Sequence, residues 1–306
     1  MNIPPQSPTA ADVLGCVQQR WDPTVTRAEY LPVGFGAHHW RIGRESNPVL
    51  FATLDQPSAS RPVSTFERAY MSAAALTASG FQGAVAPMVN TQGAYTITLG
   101  DGILSVTPWI DGRTPTFAES SAPAHAARMV KLLSDLHQSP IPALLPAWQP
   151  PLDPAFAVAL KSRLALSWLD GPFGNSARDV ALASIGQIED MAMRYADLAE
   201  RALAAKPSWV PTHGEPHFAN QMIVDGRLVL IDWESFALAP AERDMLDLNP
   251  KYRSQLGSDP DMLELFRLEW RLAEIDEYTR RFQEPHTGDE DDVLALEKLR
   301  REIAGE

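Results

Sequence analysis

One hairpin signal constrains the fold more than any other stretch. Asp225-Gly226 separates the apolar runs Met222-Ile223-Val224 and Leu228-Val229-Leu230-Ile231. Asp-Gly suits a two-residue turn in which both residues take positive φ, so the chain must double back here. Doubling back brings three polar side chains to one end of the hairpin. They are Glu215 in Thr212-His213-Gly214-Glu215-Pro216-His217-Phe218-Ala219-Asn220, Asn220 itself, and Asp232 in Ile231-Asp232-Trp233. A carboxylate able to accept a proton, beside two oxygen ligands, is what metal-assisted phosphoryl transfer uses. The same residues admit a second chemistry. His213-x-Glu215-x-His217 could present a Zn²⁺ set on one strand face, as in a metallohydrolase, although Pro216 argues against a paired central strand.

Composition narrows the classes. At 306 residues the chain is one large domain or two lobes, and 45% hydrophobic content is ample for a core. A formal net charge of −13 excludes a nucleic-acid partner, which requires a basic face. Acidity suits a cationic substrate as well as plain solubility. Cys16 is the only cysteine, so no internal disulfide can form and a cytoplasmic location is expected. Met1-Asn2-Ile3-Pro4-Pro5 has neither a basic start nor the apolar stretch of a signal peptide. No apolar run reaches the roughly 18 residues that span a bilayer, so no membrane partner is expected. Internal repeats and low-complexity tracts are absent, and the oligomeric state stays open.

Taken in order, residues 10–20 read as a short helix. Strands follow at Val25 to Leu31, His38 to Ile42 and Val49 to Leu54, with the glycine turn Gly34-Phe35-Gly36-Ala37 between the first two. Such a turn can lie over phosphates with its N–H groups, and it equally suits any tight hairpin. Thr65 to Ser79 reads as a helix stopped by Gly80. Tyr95 to Leu99 and Ile103 to Thr107 alternate around a second Asp-Gly pair, Asp101-Gly102. Beyond Pro108-Trp109-Ile110 the chain turns helical, with predicted helices at 123–138, 154–169, 178–205, 261–283 and 291–303. Met191 and Met193 read as core filling. Six prolines between 139 and 154 impose an extended connection. The acidic run from Glu284 to Asp292 reads as a solvated loop leading into a helix N-terminus, with cation binding as the alternative.

His213-Gly214-Glu215-x4-Asn220 followed by Ile231-Asp232-Trp233 resembles the catalytic and metal-binding segments of the aminoglycoside phosphotransferase family. Ala239-Pro240-Ala241-Glu242-Arg243-Asp244 is similar to its spectinomycin phosphotransferase branch. The resemblance runs from about residue 25 to 250. It implies an α+β, bilobal, protein-kinase-like fold. Residues 1–109 would form a nucleotide-binding lobe of antiparallel sheet and one helix. Residues 110–306 would form a mainly helical lobe with the catalytic loop, metal ligands and acceptor helices. The implied activity is transfer of the γ-phosphoryl group of ATP or GTP, with Mg²⁺, to a hydroxyl of an aminoglycoside-like, aminocyclitol-like or other small acceptor, with antibiotic resistance as one outcome. Glu215 would accept the hydroxyl proton, and Asn220 and Asp232 would bind Mg²⁺. His213, Arg243 and Asp244 would support the loop, and Glu234 could face the acceptor. Gly34, Gly36, Arg41, Thr53, Glu67, Pro108 and Ile110 would meet the nucleotide.

Two departures from the family pattern matter. Typical members carry Asp where this chain has Glu215. The extra methylene moves the carboxylate by about 1–1.5 Å, and misplacement on that scale can lower a rate roughly a hundredfold. The family's phosphate-holding lysine aligns with Thr53, and no lysine precedes Lys131. Loss of such a cation could cost roughly 3–4 kcal/mol of transition-state stabilisation. Arg41, His38 and His39 are candidate substitutes, with Arg61 and Arg68 as further options, and Arg41 could equally be a solvated strand residue. Glu67, the usual partner of that lysine, loses its counterpart. A kinase-like binding protein with weak or no turnover is therefore the alternative.

Overall fold

The computed structural model describes residues 4–34, 36–58 and 61–305. Contacts divide the chain into two compact units, residues 1–148 with 209–257, and residues 149–208 with 258–306. In the first unit, α1 (Ala10–Arg20) precedes the strands β1 (Arg27–Leu31), β2 (His38–Arg44) and β3 (Asn47–Asp55). Helix α2 (Val63–Ala78) follows, then β4 (Thr96–Leu99) and β5 (Gly102–Pro108). All neighbouring strands pair antiparallel, in the spatial order β1-β2-β3-β5-β4.

Alternation splits the sheet into two faces. Trp40, Ile42, Leu50, Ala52, Leu54, Leu104 and Val106 form one buried face, closed by Val13 and Val17 of α1. The register places His39 opposite Thr53, Thr53 opposite Ser105, and Asp55 opposite Ile103. His39, Phe51, Thr53 and Asp55 therefore share the other face. The β4–β5 turn differs from the expected Asp101-Gly102. Leu99 pairs with Gly102, which leaves Gly100 and Asp101 as the turn, and Gly100 supplies the positive φ of 63°. Gly34 and Gly36 have φ of 72° and 88°, as the glycine turn requires, while Phe35 lies outside the described residues.

After β5 come the short α3 (Phe117–Ser120) and the long α4 (Pro123–His137), whose Met129, Leu132, Leu133 and Leu136 are buried as its periodicity predicts. Residues 138–155 contain no helix or strand. The second unit is all-helical: α5 (Phe156–Leu164), α6 (Gly174–Ala183), α7 (Ile185–Ala204) and, after the return of the chain through the first unit, α9 (Pro260–Arg281) and α10 (Glu290–Ala304). The helix expected at 178–205 is two helices, broken at Ser184, which has φ −114° and ψ 14°. Ser184 and Gly186 are weak helix formers, so the break falls there. Met191 is buried but Met193 is 61% exposed, so only Met191 fills the core.

The first unit then resumes with β6 (Val210–Thr212), β7 (Gln221–Val224), β8 (Arg227–Leu230) and β9 (Ala237–Ala239). Strands β7 and β8 form the predicted hairpin, with Asp225 and Gly226 at φ of 49° and 78°. Helix α8 (Pro250–Leu256) closes the unit. In the second unit α9 (Pro260–Arg281) buries Leu265, Leu268, Leu272 and Ile275, and α10 (Glu290–Ala304) buries Leu296, Leu299 and Ile303. Thr287, Asp289 and Asp292 hydrogen-bond among themselves and with Gly288 at the entry to α10, so the acidic run caps that helix. Among the described residues no helix is long and apolar enough to cross a membrane.

Trp40 is 1% exposed and packs edge-on against Tyr30 at 5.6 Å between ring centroids. Trp40→Ala is expected to destabilise the chain by about 3–5 kcal/mol, measured by urea unfolding. A loss below about 1 kcal/mol would show that this face of the sheet is not a packed core.

Candidate active site

Strand β6 delivers the chain into the motif, and Thr212 fixes its exit through a 2.9 Å hydrogen bond to the Ala237 carbonyl. The next three residues cannot continue as strand. Gly214 has φ of 99°, a conformation that side chains rarely adopt. The turn is held by one carboxylate. Asp244, 2% exposed, accepts the Gly214 N–H at 2.6 Å and the His213 N–H at 3.0 Å, and lies 3.0 Å from His137 Nε2. Burial alone would raise its pKa, but the His137 and His213 contacts and the Gly214 hydrogen bond hold it below the usual carboxylate range.

His213 is fully buried, and both ring nitrogens are committed within the loop. Nε2 lies 2.8 Å from the Ile231 carbonyl, and Nδ1 accepts the Glu215 N–H at 3.3 Å. This pairing sets the Nε2–H tautomer. Burial pushes its pKa down, so the ring is a neutral brace. Arg243 Nη1 donates to the Ser235 carbonyl at 2.8 Å and to Thr212 at 3.3 Å. It also presses close to Gly214, where a built Cβ would fall 2.5 Å from its guanidinium.

The braced loop presents the three expected side chains. Ser235 Oγ donates to Glu215 Oε1 at 3.1 Å, which orients the carboxylate. Asn220 Nδ2 donates to the Glu215 carbonyl at 3.0 Å, and Oδ1 has no hydrogen-bond partner among the described residues. The hairpin then returns, and the Ile231 N–H bonds the Asn220 carbonyl at 3.0 Å, which sets Asp232 beside Asn220. Gln221 ties the loop to α4: it donates to the Pro216 carbonyl at 2.7 Å and meets His125 Nε2 at 2.6 Å.

Asp232 takes φ of 67°, a left-handed conformation rare outside glycine. Its carboxylate has no hydrogen-bond partner among the described residues. Protein crowding, followed by the charges of Glu234 and Glu215, pushes its pKa up to about 8, and the solvent-open side of the residue tempers that shift. Asn220 Oδ1 and an unpaired carboxylate are two hard oxygen donors in a negative environment. They fit a Mg²⁺ that keeps waters and takes phosphate oxygens. The rival zinc set is not assembled, because His213 spends both nitrogens inside the loop. Among the described residues no three His, Cys, Asp or Glu side chains are arranged to hold a metal ion.

The residues expected near the nucleotide separate into groups. Arg41 is tied to Glu29 on β1 at 2.5 Å and lies partly in solvent. Thr53 meets His39 Nδ1 at 3.2 Å. Glu67 is spent on the start of β4, where its carboxylate accepts the N–H groups of Tyr95 and Thr96 at 2.7 and 2.9 Å and the Thr96 hydroxyl at 2.7 Å. Pro108 ends β5 opposite Leu50, and Ile110 follows, half-buried. Glu234, suggested for the acceptor, is ion-paired to Arg61 at 2.8 Å. Asp55 had no sequence signal beyond sharing a strand face with Thr53. It is 3% exposed and accepts a 3.1 Å hydrogen bond from Tyr70. Burial, and then the charge and hydrogen bond of Glu234, raise its pKa well above the carboxylate range.

Two measurements test this geometry. Gly214→Ala would force φ out of the left-handed region or displace Arg243, and is expected to lower stability by about 1–3 kcal/mol in denaturant unfolding. An unchanged midpoint would mean the loop is not held as described. His39 is buried enough that its pKa falls to about 4, against about 6.5 in the unfolded chain. Its contribution is complete above pH 6.5 and is lost as pH falls from about 6.5 to 4, because only the unfolded chain takes up the proton there. The total is at most about 3 kcal/mol. His39→Gln should flatten the stability–pH curve in that window, and a curve of unchanged slope would refute the assignment.

Residues 29–298 match the sequence profile of the phosphotransferase enzyme family. Protein StrN of Streptomyces griseus is 30% identical over 250 residues, covering 77% of this chain and 76% of that protein. Among solved structures, a spectinomycin phosphotransferase in complex with ADP and spectinomycin superposes with a TM-score of 0.74 at 15% identity, covering 97% of this chain and 95% of that one. An ethanolamine kinase of Plasmodium vivax superposes with a TM-score of 0.55 at 13% identity, covering 92% and 82%. These likenesses show a kinase-like α+β fold. The chain belongs to the phosphotransferase enzyme family, as a kinase that transfers a phosphoryl group to a hydroxyl.

Proposed function

We propose that the chain transfers the γ-phosphoryl group of ATP or GTP to a hydroxyl of an aminoglycoside- or aminocyclitol-like small molecule in the cytoplasm. One observation carries this reading: the Asp244-braced turn sets Glu215, Asn220 and Asp232 together at the end of one hairpin. In this reading Glu215, oriented by Ser235, accepts the proton of the acceptor hydroxyl. Asn220 and Asp232 hold Mg²⁺, which when bound neutralises charge on the transferring phosphate. Residues 1–109, with the glycine turn at Gly34 and Gly36 and the segment Pro108 to Ile110, serve the nucleotide. Residues 110–306 carry the loop, the metal ligands and the acceptor contacts. The acceptor class is supported by the spectinomycin and kanamycin bound in structures of the same fold, and by the chain's net charge of −13, which suits a cationic acceptor.

A kinase-like protein that binds nucleotide without turnover is the second reading. It is favoured by Thr53 in the lysine position and by Glu67, whose carboxylate is committed to β4. Turnover separates the two. Purified protein with MgATP or MgGTP would be assayed against spectinomycin, kanamycin, ethanolamine and choline by release of the nucleoside diphosphate. We expect acceptor-dependent release that Glu215→Gln lowers roughly 10²–10⁴-fold without loss of nucleotide affinity. Asp232→Asn should remove the Mg²⁺ dependence of binding. Nucleotide binding without release on any acceptor would favour the second reading, and no nucleotide binding at all would end the first.

A further inference from the structure

We infer that Arg61 is the phosphate-binding cation of this site, supplying from the β3–α2 connection the charge that no lysine supplies from β3. The inference rests on the phosphoryl-transfer reading above.

Arg61 is fixed at both ends. Its backbone N–H and carbonyl bond Ser58 at 3.2 and 3.0 Å, and its N–H also meets Ser58 Oγ at 3.1 Å. Its guanidinium lies over the Phe66 ring, 4.4 Å from the centroid. Nη2 reaches Glu234, two residues beyond the metal-ligating Asp232, at 2.8 Å. Asp55, which accepts a hydrogen bond from Tyr70, lies within electrostatic reach of Glu234. Glu234 is a positioning residue: its ion pair holds the guanidinium at a position two residues along the chain from Asp232.

The guanidinium retains capacity for a ligand. It has five N–H donors in a planar fork, and among the described residues Glu234 is its one side-chain hydrogen-bond partner. Of its side-chain surface 36% is open. Planar, charged donors match phosphate oxygens in pairs.

Charge balance points the same way. Glu234 lies 2.8 Å from the guanidinium, and Asp232 stands two residues before it, so negative charge is gathered on this side of Arg61. A polyphosphate entering beside them needs a cation there. The other candidates are occupied elsewhere: Arg41 on Glu29, Arg68 on the Leu144 carbonyl, His38 on Tyr30 and His39 on Thr53.

The test compares ligands that differ only in their phosphates. Calorimetry would measure MgATP, MgADP and adenosine, and the guanosine series, on the wild type and on the variants Arg61→Gln, Arg61→Lys, Arg41→Gln and Arg61→Gln with Thr53→Lys. Thermal melts would accompany each. Arg61→Gln is expected to weaken di- and triphosphates by at least tenfold and to lower kcat/KM roughly 10²–10³-fold, with nucleoside affinity unchanged. Arg41→Gln is the comparison, and a loss of phosphate affinity there as large as in Arg61→Gln would overturn the assignment. Thr53→Lys should restore part of the affinity lost in Arg61→Gln. If Arg61→Gln does not fold, Arg61→Lys decides: it keeps charge but not the fork, so triphosphates should weaken several-fold and nucleosides not at all. Triphosphate affinity within twofold of the wild type in either folded variant, or an equal loss for nucleosides, would overturn the assignment while leaving phosphoryl transfer standing. A wild type that binds neither nucleotide would overturn both.

Discussion

The Asp244 carboxylate is the constraint on which the site depends. A left-handed glycine turn in the interior leaves two backbone N–H groups without ladder partners, and unpaired buried donors are expensive. Asp244 accepts both, and His137 from α4 lies against its second oxygen. One buried anion thereby joins the strand leading into the loop, the turn that follows β9, and a long helix. The positions of Glu215 and Asn220 follow from that junction, because the Glu215 N–H bonds His213 and the Asn220 amide bonds the Glu215 carbonyl. His213 extends the same logic, filling the space beside Trp233 at 4.8 Å and tying the loop to the Ile231 carbonyl.

Opposite that rigid scaffold lies a region of unbalanced charge. Asp232 is held with positive φ, without a hydrogen-bond partner among the described residues, and near two further acids. Such an arrangement is unfavourable in the isolated chain, and a cation held there would relieve it. Strain and like-charge crowding of this kind cluster where a protein is built for a ligand rather than for stability. The replacement of Asp by Glu in the loop has a structural counterpart: Ser235 takes one carboxylate oxygen and restrains the longer side chain.

Much of this was legible in the primary sequence because it is local. Asp-Gly between apolar runs specifies a hairpin, and a hairpin of known length brings its two ends together, so the grouping of Asn220 with Asp232 needed no tertiary information. Helical stripes on α4 and α9 were legible for the same reason, since side chains three and four apart share a face. Local signals misled where a neighbour competed. Gly100, more permissive than Asp101, captured the β4–β5 turn, and Ser184 divided a long apolar stripe into two helices. Met193 shares its helix with Met191 but points away from the core, a difference that composition does not carry.

What the sequence determined by itself, then, is the β7–β8 hairpin, the polar residues at its end and the family to which they point. Spacing along a strand or helix turns directly into geometry over those short distances. Tertiary structure alone decided which cation stands near those residues. Arg61 and Glu234 are 173 positions apart, and Glu67 meets β4 only because α2 packs where it does. Contacts of that separation depend on how sheet, helix and loop close on one another. No pattern within a window of a few residues encodes that closure.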